Sequence, residues 1–99
     1  MNKEEIKRNN IILHEALTKE LLNNHSIAAL MKLIEMGREI ELIYNNKSIS
    51  ITHLDNKILF SFEDSTERFN DIWSVIVQGR TDGDFFIDCW NEMSIKALF

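Results

Sequence analysis

The sequence predicts an α+β domain with two N-terminal helices, a three-stranded antiparallel meander and two C-terminal helices packed on the sheet. Three observations carry this expectation. Apolar residues recur at helical spacing up to about residue 36 and again after residue 64. Between those stretches the period shortens to two, as in a half-buried strand. Two turn-forming dipeptides, Asn45-Asn46 and Asp55-Asn56, divide that middle stretch into three runs. The 99 residues contain no proline and only three glycines, so nothing reads as an interdomain linker, and a single domain over 1–99 is expected.

Asn2 followed by Glu5 has the pattern of a helix start, with Asn2 as the cap. Ile6, Leu13, Ala16, Leu17 and Leu21 then share one face, which predicts a helix to about residue 22, weakened in its middle by Asn9 and Asn10. Asn23-Asn24 interrupts it, Ser26 caps a second helix with Ile27, Leu30, Met31 and Ile34 on its stripe, and Gly37 is placed to end that helix in the left-handed conformation. In REIELIY the residues Ile40, Leu42 and Tyr44 alternate inward. SISITHL and ILFSF follow across the two turns. Asp64 or Ser65 is then expected to cap a helix whose Phe69, Ile72, Trp73 and Ile76 face the sheet, with Gly79 stopping it. Thr81 followed by Asp84 resembles a capping box for a last helix to about Met93, burying Phe86, Cys89, Trp90 and Met93.

Composition narrows the function. The net charge of −5 falls entirely in the second half, because residues 1–54 balance seven acids with seven bases while residues 55–99 set nine acids against four bases. Such a field repels phosphate backbones and attracts basic surfaces, so direct nucleic-acid binding is not expected and a basic protein partner is. No apolar run approaches the roughly 20 residues that span a bilayer. The polar start MNKEEIKRNN, with two acids in its first five residues, is unlike a secretory signal, and the single Cys89 suits a reducing compartment. The expected location is the cytoplasm of a bacterial host cell.

Chemistry-bearing motifs are absent. His14, His25 and His53 have no second ligand at metal-binding spacing, Cys89 falls on an apolar stripe, and no phosphate-cradling glycine loop or nucleophile elbow occurs. Asp82-Gly83-Asp84 lacks the remaining ligands of a calcium loop. No enzyme activity, metal or cofactor is expected.

The acids of TDGDFFIDCWNEM are the candidate site. On a continuous helix Asp84, Asp88 and Glu92 would stand at i, i+4 and i+8 on one side. Like charges so spaced cost an isolated helix about 0.2–0.5 kcal/mol per pair. Asp84 is accounted for by its place at a helix start, and the others are not. A solvated helix face is the plain alternative. Asp82 and Asp71 would extend the surface if the last two helices packed antiparallel. Asp64 and Glu67 would widen it, and Phe85 would offer an aromatic anchor.

Two resemblances follow from these elements. Gly37 to Ile51, GREIELIYNNKSISI, resembles small uncharacterised proteins of Gram-positive bacteria and their phages, which also carry a late Gly-x-x-(Phe/Leu)-x-x-x-Trp, here Gly83, Phe86 and Trp90. No activity attaches to that likeness. The order of helix, three-strand meander and two closing helices, with acids in the last part, is similar to a prophage-encoded type II anti-CRISPR family, whose members are acidic Cas9 inhibitors that imitate PAM-side DNA. In that family an acidic loop and an aromatic-acidic helix follow the first closing helix. The matching stretch here is DGDFFIDCWNEM. The resemblance implies a phage or mobile-element protein whose Asp82, Asp84, Asp88 and Glu92 meet basic groups of Cas9 or another nuclease in place of phosphates.

The competing expectation is a self-associating or host-protein-binding module without DNA mimicry. Residues 1–24 would then be an add-on or dimerisation element, since Ile6, Leu13, Leu17 and Leu21 exceed what one small sheet can cover, and Ile11 and Ile12 add apolar surface off that stripe.

Overall fold

A computed structural model describes residues 2–99 apart from the side chain of Ile6, so the expected place of Ile6 on the inner stripe lies outside the described residues. Helix α1 (Lys3–Asn24) begins at an Asn2 cap whose Oδ1 accepts from the Glu5 amide at 2.9 Å. It ends where His25 takes the left-handed conformation, φ 54°, with its amide bonded to the Leu21 carbonyl. Helix α2 (Ile27–Glu35) starts at Ser26, whose hydroxyl accepts from the Ala29 amide at 3.1 Å. Gly37 follows it at φ 95°.

Three strands come next as the alternation predicts: β1 (Ile40–Tyr44), β2 (Lys47–Leu54) and β3 (Lys57–Phe62). Both connecting dipeptides, Asn45-Asn46 and Asp55-Asn56, hold positive φ at each residue, the two-residue hairpin turn that matches strand twist. The sheet is larger than a meander of three. Its order is β4-β3-β2-β1-β7, antiparallel throughout, with β4 (Ser65–Phe69) and β7 (Ser94–Leu98) on its edges.

Both edge strands correct the expected layout. Ser65–Phe69 is a strand and not the opening of a helix. Glu63, at φ 53°, turns the chain back on itself, and Ser61 and Thr66 bond across the ladder at 2.9 Å. Helix α3 (Ile72–Gln78) therefore begins later, at Asp71, whose Oδ1 accepts from the Ser74 amide at 2.8 Å. That shift changes the buried stripe to Ile72, Val75 and Ile76 and turns Trp73 outward, 59% exposed. Gly79 does stop the helix, as expected.

The continuous last helix is also absent. Arg80–Thr81 (β5) and Asp84–Phe85 (β6) form a small hairpin around Asp82-Gly83, at φ 53° and 90°. Only Phe86–Cys89 (α4) is α-helical. A 3-10 turn, Trp90–Glu92, then leads into β7, which pairs with β1. Thr81 is no cap: it is fully buried in β5.

One face of the sheet carries Ile40, Leu42, Tyr44, Ile49, Ile51, Ile58 and Phe60 into a single core. Leu30, Leu33 and Ile34 of α2, the α3 stripe, and Phe86, Cys89, Trp90 and Met93 fill the other side of that core. The opposite face of the sheet carries Glu41, Ser48, Ser50 and Ser61, lining a shallow depression of about 250 Å³ with Lys96. Among the described residues, helix α1 joins the core only through its last turns, where Leu21 is fully buried and Leu17 packs beside it. From Asn2 to Leu13 every described side chain is exposed. This projecting arm contributes to a longest dimension of 48 Å against a shortest of 19 Å.

Candidate partner-binding surface

Antiparallel register decides which turns share an end. Tyr44 lies opposite Lys47 and Ile49 opposite Phe62, so the β1–β2 and β3–β4 turns emerge together. The β5–β6 hairpin joins them: Lys47 Nζ reaches Asp82 Oδ1 at 2.6 Å and Asn45 Nδ2 donates to Asp82 Oδ2 at 3.4 Å. Strand β7 starts opposite Ile43, which brings Glu92 to the same end. Turn chemistry thus gathers Glu63, Asp64, Asp82, Asp84 and Glu92, whereas the expected helical stripe was Asp84, Asp88 and Glu92.

The electrostatics of this end are uneven. Lys47 holds the Asp82 carboxyl below its ordinary range, with partial burial opposing and Asn45 assisting. The same hydrogen bond raises Lys47, and Glu63 adds to that shift. Arg80, the other base here, lies 4.2 Å above the Phe85 ring and donates through Nη1 to the Gly83 carbonyl at 2.8 Å. Among the described residues no ion pair reaches Glu63, Asp64, Asp84 or Glu92. The charges of Glu92 and Asp84 are felt inside. The Tyr44 phenol is pushed up to about 12, chiefly by its hydrogen bond with Cys89 and by burial, then by charge at Cys89, Glu92 and Asp84.

The remaining candidates are placed apart. Asp88 is exposed on α4. Glu67 lines a groove of about 240 Å³ between β4 and the hairpin, with Phe60, Phe62, Ser65, Arg80 and Asp82. Phe85 is 38% exposed and is shared with Arg80. Asp71 is at the opposite end of the sheet, beside His53 and Asn56. Its two hydrogen bonds from Ser74, which lower its pKa, identify it as the cap of α3.

Sequence reading missed Glu63, Asn45 and Lys47 as neighbours of the acids. The signal available was YNNK itself, a hairpin tip that presents Asn45 and Lys47 together. Among the described residues no three His, Cys, Asp or Glu side chains are grouped to hold a metal ion, and no helix is long and apolar enough to cross a membrane. Compared with protein-family models, curated proteins and solved structures, the chain matches none.

Proposed function

We propose that this protein is a non-enzymatic binding module whose turn end docks on a basic protein surface, taking the place of nucleic-acid phosphates. The observation that carries the reading is the concentration of Glu63, Asp64, Asp84 and Glu92 on neighbouring turns without an ion-pairing base of their own. Carboxylates held on tight turns are preorganised acceptors for guanidinium and ammonium groups. Lys47 fixes Asp82, and through it the hairpin, so its role is to shape the surface. The target class is a nuclease or other protein with a cationic nucleic-acid channel. With the anti-CRISPR resemblance, Cas9 is the first candidate and a phage or mobile element the first expected source.

The test is capture of a Cas9 or other bacterial nucleic-acid-binding protein at low and high salt by the native chain and by a D64N/D84N/E92Q variant. The native chain captures it at low salt and loses it at high salt, in competition with DNA. The triple variant loses capture at both. A D55N variant, altered at the far end of the sheet, behaves as the native chain. Equal capture by the triple variant would end the reading.

A further inference from the structure

The outward side of α1 is self-complementary. With 100° between successive residues, Arg8, Ile11, Ile12, Glu15 and Leu22 lie away from Leu17 and Leu21, which pack on the domain. Ile11, Ile12 and Leu22 are 59%, 55% and 56% exposed, while Leu21 is fully buried, so this apolar surface is left over after the fold is complete.

The charges around it have a register. About a point midway between Ile11 and Ile12, residue n corresponds to residue 23−n. Glu4 then corresponds to Lys19, Arg8 to Glu15, and Lys3 to Glu20, each pair opposite in sign. The four outward members, Glu4, Arg8, Glu15 and Lys19, make no ion pair within the chain among the described residues. A partner of uniform charge would match only half of such a helix. An antiparallel copy of the same helix matches all of it, which is the requirement of a two-fold interface.

We infer that the chain forms a two-fold dimer through antiparallel pairing of α1 helices, with the axis passing between Ile11 and Ile12. Ile11 stands level with the second copy's Ile12, and each of the two isoleucines meets its own counterpart across the axis, Ile11 on one face of the helix pair and Ile12 on the other. Arg8 stands level with the second copy's Glu15, and Glu4 with its Lys19. The dimer orders the first turns of α1, whose described side chains are exposed in the monomer and which, taken alone, are too short to be stably helical in water. This assembly is independent of the acidic end and presents that end twice.

The experiment uses the full chain in sedimentation velocity together with single-cysteine crosslinking. The chain sediments as a dimer. Under mild oxidation Ile12→Cys crosslinks to itself, whereas Leu22→Cys does not, because its copies lie about 30 Å apart along paired helices. R8E weakens the dimer about tenfold or more through like-charge contact with Glu15, and R8E/E15R restores it. A monomer at all concentrations overturns the dimer and leaves the acidic reading standing. Crosslinking of Leu22→Cys at the rate of Ile12→Cys, or an R8E variant that dimerises unchanged, overturns the antiparallel register.

Discussion

His25 and Trp90 bind each other twice, in opposite senses. The Trp90 indole Nε1 donates to the His25 carbonyl at 2.9 Å, and His25 Nε2 donates to the Trp90 carbonyl at 2.6 Å. Their rings stack with centroids 4.1 Å apart. The pair joins the hinge between α1 and α2 to the 3-10 turn that feeds β7, so it fixes both ends of the chain to one core. Trp90→Phe keeps most of the stack but leaves a partly buried carbonyl without its donor. Urea unfolding should show a loss of about 1–3 kcal/mol. A loss no larger than that of Trp73→Phe, at an exposed position, would contradict the assignment.

The two glycines that follow helices α2 and α3 should respond differently to alanine. Gly79 has φ −63°, which any residue adopts, but an added Cβ would lie 2.5 Å from the Val75 carbonyl oxygen. That oxygen already accepts from the Gly79 amide at 2.7 Å, so the helix end cannot simply withdraw. Gly79→Ala is expected to cost about 1–3 kcal/mol by overpacking. At Gly37 there is open space and the backbone at φ 95° is the whole difficulty. Gly37→Ala should cost about 1 kcal/mol, and Gly37→Asn less, because asparagine tolerates that conformation. Thermal or urea denaturation of the three variants separates the two causes.

These positions also show where the sequence was legible. Caps and tight turns are local, and Asn2, Ser26, Asn45-Asn46 and Asp55-Asn56 act where their chemistry places them. Edge strands are not local. Ser65–Phe69 carries one strong apolar residue, Phe69, and becomes a strand because β3 offers it a ladder. The expected cap at Asp64 or Ser65 therefore fell six or seven residues before the true cap at Asp71, and Trp73 was placed on the wrong side. The candidate site was legible as a list of acids and misread as a helix face. Asp82-Gly83 is a hairpin dipeptide, and reading Thr81 to Asp84 as a capping box concealed it. Phe86, Cys89, Trp90 and Met93 are all buried even so, because a short helix followed by a 3-10 turn keeps nearly the same side inward.

The Lys47–Asp82 contact should give the turn end its own pH dependence. Asp82 titrates below its ordinary value of 3.8 in the folded chain, so its contribution is present above the unfolded pKa and is lost as pH falls through the folded one. Lys47 is raised above 10.5, so its contribution is present below that value and is lost as pH rises through the folded pKa. Between those limits the clamp holds, and salt weakens it because both side chains reach solvent. Carboxyl NMR titration should find Asp82 below its ordinary value of 3.8 in the native chain, with Lys47→Met bringing it back toward that value. An unchanged Asp82 in that variant would show that the hairpins are not clamped.

Tyr44 reports on the acids around it, and it is the chain's only tyrosine, so its phenolate absorbance can be followed without interference. Its phenol is pushed from 10.0 up to about 12 by hydrogen bonding to Cys89, by burial, and by the charges of Cys89, Glu92 and Asp84. A raised folded pKa means that the stabilising contribution is complete below the unfolded value near 10 and is lost as pH rises from there through about 12. Spectrophotometric titration of the native chain should therefore show only about 3% phenolate at pH 10.5 while the fold persists. Cys89→Ala, which removes the first cause, should lower the midpoint most. A D84N/E92Q variant should lower it by less, and added salt should produce part of that shift in the native chain and none in the variant. A midpoint indifferent to Asp84 and Glu92 would mean that these carboxylates do not converge on the turn end, and the basic-partner reading would lose its geometric support.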